Sequence, residues 1–293
     1  MLLRRLTSPM KDNQQMEAKW SATVTTARDY YNSDDADNFY FMIWGGEDIH
    51  IGIYTSPDEE FVTASRRTIE LMAIQVEPIS AEAQILDLGA GFGGASRYLA
   101  GAYGAEVTAL NLSEVENQRH RRSNVQAHLE DRITVIDGNF ENIPCPDAHF
   151  DVVWSQDALL HSGKRSEVLR EVDRVLKPGG QFIFTDPMQA DDCPQGVLQP
   201  ILDRIHLDSL GSPGFYRAEA GKLGWRDRGF KDHTAQLVTH YRRVGEETES
   251  ARDKLGAKIN PDYITRMLKG LGHWVEGGSA GHLAWGFFHF SEA

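Results

Sequence analysis

Between residues 84 and 185 short apolar runs alternate with helical stretches, and no other feature of the sequence narrows the fold as far. Gln84–Leu88 is an apolar run that ends on glycines, and Ala95–Ala102 then reads as a helix. Glu106–Leu112 reads as a strand. Ser113 is a plausible N-cap for the helix after it, because a serine oxygen can accept from the free amides of a first turn. Arg132–Ile136 and Phe150–Trp154 are further strands. Ser166–Leu176 is a helix halted at Pro178-Gly179-Gly180, and Gln181–Thr185 is the next strand. Strands joined through helices lie parallel and are covered on both faces. The expectation is an α/β, doubly wound core over residues 78–190.

Outside this stretch the pattern changes. Tyr30, Tyr31, Phe39, Tyr40, Phe41, Trp44 and Tyr54 crowd one short region, and residues 57–76 carry helical apolar spacing. After Asp186 the alternation stops, and residues 190–224 and 239–275 read as helical and irregular. Leu283–Phe290 is a strand-like run expected to return to the core sheet. The predicted layout has a flexible N-terminal segment (1–29) and N-terminal lid helices (30–77). Residues 78–190 and 276–293 form the core, and 191–275 form a mainly helical substrate lid with one core strand near 230–238.

A formal net charge of −13 repels nucleic acid and anionic membranes, which favours a small-molecule substrate. Cys145 and Cys193 lack CxxC partners, so neither a metal site nor a disulfide framework is expected, and a reducing cytoplasm is the simplest setting. No apolar run approaches the roughly 18 residues of a membrane span. The apolar stretch in Met1–Leu6 is too short for a signal peptide. A monomer or homodimer is expected.

Gly89, Gly91 and Gly94 satisfy GxGxxG, a turn that brings backbone amides and a helix N-terminus close to a ligand. Nicotinamide enzymes and methyltransferases both use such a turn. Asp87, two residues before Gly89, would sit badly beside a pyrophosphate but would attract the ammonium of a methionine moiety. A nicotinamide enzyme also wants an acid about 20 residues on, to hold a ribose hydroxyl. That position is Asn111, which is uncharged yet still able to bond ribose hydroxyls.

Ile85-Leu86-Asp87-Leu88-Gly89-Ala90-Gly91 resembles the first motif of class I S-adenosylmethionine-dependent methyltransferases, and Leu176-Lys177-Pro178-Gly179-Gly180 resembles their loop before the fifth strand. A narrower match runs through Phe39–Gly52, Trp154–Ser162, Thr185-Asp186-Pro187-Met188, Pro200–Arg217 and His273–Gly278. These stretches look like the sarcosine/dimethylglycine N-methyltransferases of glycine betaine synthesis. The resemblance covers nearly everything from Tyr30 onward. It implies a Rossmann-like seven-stranded sheet, S-adenosylmethionine as cofactor, and sarcosine and N,N-dimethylglycine as acceptors. It places the ribose near Asn111 and Leu112 and the adenine near Asn139 and Phe140. Gln156 would face the methionine end, Tyr31 would close over the cofactor, and Gln118 is a further cofactor-binding candidate. The positions of Asp157 and His161 also resemble a catalytic segment of phosphoethanolamine methyltransferases, which keeps another small amine open as the acceptor.

The acceptor ammonium must lose a proton before it can attack. His161, supported by Asp157, is the candidate to assist. Aromatic faces suit the permanently charged product, with Tyr31, Trp44, Trp154 and Trp285 as candidates. The substrate carboxylate calls for a planar guanidinium. Arg204 is the first choice and Arg217 the second, with Met188 and His206 lining the same pocket. His50 is a candidate to order the aromatic N-terminal segment.

Overall fold

The computed structural model describes residues 20–56, 58–76 and 78–292. Most of the predicted flexible segment, residues 1–19, lies outside the described residues. From there the chain forms α1 (Ala22–Tyr31), α2 (Asp34–Ile43) and α3 (Phe61–Val76). The core runs β1 (Gln84–Leu88), α4 (Gly94–Tyr103), β2 (Glu106–Asn111), α5 (Glu114–Gln126), β3 (Ile133–Asp137), β4 (Phe150–Gln156), α6 (Arg165–Val175) and β5 (Leu176–Thr185). Beyond it come β6 (Met188–Gln189), α7 (Gln199–Ile205), α8 (Pro213–Lys222), β7 (Arg226–Asp232), α9 (Thr234–Ser250), α10 (Arg252–Gly256), α11 (Pro261–Ser279), β8 (Leu283–Ala284) and β9 (Gly286–Ser291).

The seven-stranded sheet has the order β3-β2-β1-β4-β5-β9-β7. The strands through β5 are parallel, whereas β9 is antiparallel to both β5 and β7. Successive residues of a strand face opposite sides. Ile85, Val152, Trp154 and Ile183 enter the core beneath α3 and α4, while Leu86, Val153, Phe182 and Phe184 enter the core beneath α6 and α8. Both faces are apolar because both are covered, which is why these strands read as continuous apolar runs rather than alternating ones. Ser113 caps α5 as expected, its Oγ accepting from Glu116 N at 3.1 Å. At the Pro178-Gly179-Gly180 loop the pairing jumps from Phe150 with Leu176 to Val152 with Gln181, so the loop bulges out of β5.

Three of the divisions between the predicted regions differ from the sequence reading, and β5 starts at Leu176, five residues before the predicted strand. Residues 22–29, predicted to be flexible, are helical: Ser21 Oγ caps α1 through Val24 N at 3.2 Å, and the Arg28 guanidinium pairs with Glu114 of α5. Only Val24 of α1 is buried, so the helix is held by tertiary bonds and leaves little periodic signal. The core strand placed near 230–238 is β7, and it ends at Asp232. There Asp232 Oδ1 accepts from Thr234 N and Thr234 Oγ1 at 2.8 and 2.7 Å and starts α9. The lid also continues to Ser279, because α11 runs unbroken through Gly277 and Gly278.

The lid has its own core. Phe39 and Trp44 of the α2 region pack with Val244 of α9 and with Tyr263, Met267 and Leu271 of α11. This cluster roofs the carboxyl ends of β1, β2 and β4, where a doubly wound sheet opens its crevice.

Candidate functional site

A pocket opens where β1, β2 and β4 end. Asp87, Gly89, Ala90 and Gly91 form its floor, Asn111 and Leu112 one side, and Asn139, Phe140 and Gln156 the other. Gly91 has φ +51, a left-handed conformation costly to a side chain, and a Cβ there would approach Ile49 Cδ1 to 2.9 Å. At Gly94 a Cβ would stand 1.6 Å from Asp48 Oδ1, so the first turn of α4 must be bare. Asp87 is buried, and its Oδ2 accepts from Ser96 Oγ at 2.6 Å. Burial pushes its pKa up to about 6. Across the pocket, Trp154 Nε1 donates to Gln156 Oε1 at 2.9 Å, leaving Gln156 Nε2 buried without a partner. A bare glycine cradle, a buried carboxylate and an unpaired amide fit the methionine and adenosine ends of S-adenosylmethionine.

One residue that the sequence reading missed joins this pocket. Glu116 is buried beside Asn111, whose Nδ2 donates to Glu116 Oε2 at 2.9 Å, and burial raises its pKa to about 7. It puts a carboxylate beside the end of β2, where the count along the sequence had reached only an asparagine. Its only sequence signal was an acid in the first turn of α5.

A second chamber lies behind the first under the lid. The two share a wall made of Tyr31, Ile49, His50, Asp157 and His161. Trp44, Tyr40, Arg204, His240 and Tyr241 line the far side. On the shared wall the Tyr31 hydroxyl lies 2.9 Å from His161 Nε2. Burial, helped by the cationic Arg165 and Arg204, lowers His161 to about 4, so the ring is neutral near pH 7. Burial raises Tyr31 far above its ordinary value, so it keeps its proton. The Arg204 guanidinium is half-buried. Among the described residues no carboxylate pairs with it; it lines the chamber with Tyr40 and Tyr241 and the outer groove with Tyr30 and Tyr263, with Nη2 2.8 Å from Met267 Sδ.

The structure does not bring every candidate to these chambers. Asp157 lies on the shared wall, but its carboxylate is engaged away from His161: Ile51 N donates to Oδ2 and Trp285 Nε1 to Oδ1, both at 2.7 Å. Gln118 is on the exposed face of α5, because a helix that turns Glu116 inward turns the residue two further on outward. Arg217 pairs with Asp227 at 3.1 Å on the surface of α8. Met188 is buried in the sheet core, pairing in β6 with Ala284, and Pro187 lines the chamber instead. His206, exposed at the end of α7, lines an outer groove that also reaches Tyr31, His161 and Arg204. Trp154 and Trp285 are fully buried, with their indole N–H groups orienting Gln156 and Asp157. His50 spans both chambers.

This sheet, with its glycine cradle at the strand ends, defines a class I S-adenosylmethionine-dependent methyltransferase. Residues 86–184 match the Methyltransferase domain family. A sarcosine/dimethylglycine N-methyltransferase of Halorhodospira halochloris is 54% identical over 267 residues, covering 91% of this chain and 96% of that protein. Another, from Aphanothece halophytica, is 51% identical over 272 residues, 93% of this chain and 98% of its own. The crystal structure of a "putative sarcosine dimethylglycine methyltransferase" from Galdieria sulphuraria superposes with a TM-score of 0.86 at 43% identity, covering 90% of this chain and 99% of that one. The chain belongs to the sarcosine/dimethylglycine N-methyltransferase family. Its cofactor is S-adenosylmethionine, which closes the nicotinamide reading of the glycine turn.

Proposed function

We propose that the protein methylates the nitrogen of sarcosine and of N,N-dimethylglycine, ending at glycine betaine. The names of its relatives support the acceptors, and the observation that carries the substrate class is Arg204. A half-buried guanidinium with no carboxylate partner among the described residues, in a chamber that adjoins the methyl-donor pocket, suits an amino acid carboxylate. A substrate pinned at that end would extend its nitrogen toward the wall of Tyr31 and His161 that the two chambers share. Positioning of this kind is itself a large part of the rate.

Both acceptors arrive as ammonium zwitterions. The nitrogen must lose its proton first, because only a free lone pair can accept a methyl group. The His161 imidazole, neutral near pH 7 and held by the Tyr31 hydroxyl, relays that proton to water in the outer groove it also lines. S-adenosylmethionine supplies the methyl group when bound. The tyrosines beside Arg204 suit the cationic product by their ring faces. A reducing cytoplasm is the proposed setting, supported by the free thiols of Cys145 and Cys193.

The test is transfer of label from methyl-labelled S-adenosylmethionine to sarcosine or dimethylglycine, with betaine as the end product. Glycine and phosphoethanolamine run in parallel. Absence of transfer to dimethylglycine would overturn the assignment.

A further inference from the structure

Two buried N–H groups of the acceptor chamber have no partner. Trp44 is 5% exposed and His240 is 0% exposed, and both line the chamber opposite the shared wall. Their rings lie 5.7 Å apart between centroids. Trp44 Nε1 and His240 Nε2 are both buried without a hydrogen-bond partner. The neighbours of Trp44 are ring systems, Phe39, Tyr40 and Phe61.

The protonation of His240 follows from its other nitrogen. Gly52 N donates to His240 Nδ1 at 3.2 Å, and the Tyr54 hydroxyl lies 2.9 Å from the same atom. A backbone amide can only donate, so Nδ1 accepts and carries no proton. Burial lowers the ring to about 3, which keeps it neutral. The single ring proton is therefore on Nε2, the unpaired atom. Indole nitrogen is likewise a donor only. The chamber thus holds two neighbouring N–H donors, and an unmet buried donor is costly enough to call for a reason.

We propose that Trp44 Nε1–H and His240 Nε2–H receive the carboxylate of the amino acid acceptor, alongside Arg204. The inference rests on reading this chamber as the acceptor site. A carboxylate offers about four lone-pair directions, and a guanidinium uses two, so two neutral donors complete the set. Gly52 and Tyr54 then act as positioning residues, since they fix the tautomer. A site with several donors rejects acceptors that lack the carboxylate, because its N–H groups would stay unmet.

The decisive variant is Trp44→Phe, which removes the N–H and keeps an aromatic ring; His240→Gln is the companion. KM and kcat are measured for dimethylglycine and for N,N-dimethylethanolamine, which has no carboxylate, and S-adenosylhomocysteine affinity is measured by calorimetry. Trp44→Phe should raise the KM for dimethylglycine about tenfold or more, as expected for a bond to a charged group. Cofactor affinity should not move, and the slow rate on dimethylethanolamine should hold or rise, because one unmet donor is gone. An unchanged KM for dimethylglycine, or an equal loss on both acceptors, overturns the proposal. Arg204→Ala separates the two readings. If it raises the KM for dimethylglycine while Trp44→Phe does not, the donor assignment fails and the chamber stands. If it leaves the KM unchanged, the chamber reading itself fails.

Discussion

Arg204 lies across Gly270 so closely that a Cβ on that residue would stand 2.3 Å from Nε and 2.8 Å from Cζ. Gly270 belongs to α11 and Arg204 to α7, so the bare turn of one helix makes the seat for the cation of the other. Gly272, on the same helix, faces open space: a Cβ there would meet nothing within 4 Å.

Gly270→Ala should therefore displace Arg204. The expected result is a rise of about tenfold in the KM for dimethylglycine, the scale of one bond to a charged group. Affinity for S-adenosylhomocysteine should be unchanged. Gly272→Ala is the control: it adds helix propensity of about 1 kcal/mol without touching the guanidinium, and its KM should stay at the wild-type value. Steady-state kinetics with both variants decides the matter.

Cofactor binding should weaken in acid. Asp87, near 6, and Glu116, near 7, attract an ammonium or accept from ribose hydroxyls only as carboxylates. Their pKa values are raised by burial, so ligand binding must draw off protons, and affinity falls as pH drops from about 8 to about 5. The stability sign is opposite. A raised folded-state pKa adds stability below the unfolded value and loses it as pH rises through about 6 to 7. Calorimetry with S-adenosylhomocysteine across that range should show the acid limb. Glu116→Gln should remove its upper part, and Asp87→Asn its lower part.

Asp157 is expected to matter for folding as well as for the wall it forms. It holds φ +51, and its oxygens satisfy Ile51 N and Trp285 Nε1. Asp157→Ala leaves two buried donors unmet and should lower unfolding free energy by about 2–4 kcal/mol. Asp157→Asn keeps one acceptor and tolerates the left-handed backbone, so its loss should be smaller. Urea denaturation of the two variants checks the order.

Tyr31→Phe removes the hydroxyl that lies 2.9 Å from His161 Nε2. A fall in kcat of roughly tenfold to hundredfold is expected, with little change in cofactor affinity, if this pair handles the ammonium proton. Single-turnover rates with dimethylglycine measure it.

Much of the fold was legible along the chain because its signals are local. Alternating apolar runs, the Ser113 cap and the end of α6 shortly before Pro178 each involve residues within a few positions of one another. The glycine cradle and Asp87 were legible for the same reason, since strand, turn and helix are contiguous there. Gln118 and Glu116 show the limit. They are two residues apart, and only the rotation of α5 against the sheet turns one inward and the other to solvent. Asp157 and His161 lie just as near, yet a distant Ile51 and Trp285 claim the carboxylate.

Short-range periodicity and turn chemistry encode the doubly wound core and the glycine cradle at its strand ends, so both could be read from the chain alone. Which arginine lines the lid chamber could only be ranked, with Arg204 first, and not decided. Arg204 and Arg217 sit on consecutive helices, but α8 packs on the sheet beside α6, where Arg217 finds Asp227 at the surface, while Arg204 is carried over Gly270 into the chamber. That outcome depends on packing between segments more than sixty residues apart, as does the pairing of Trp44 with His240.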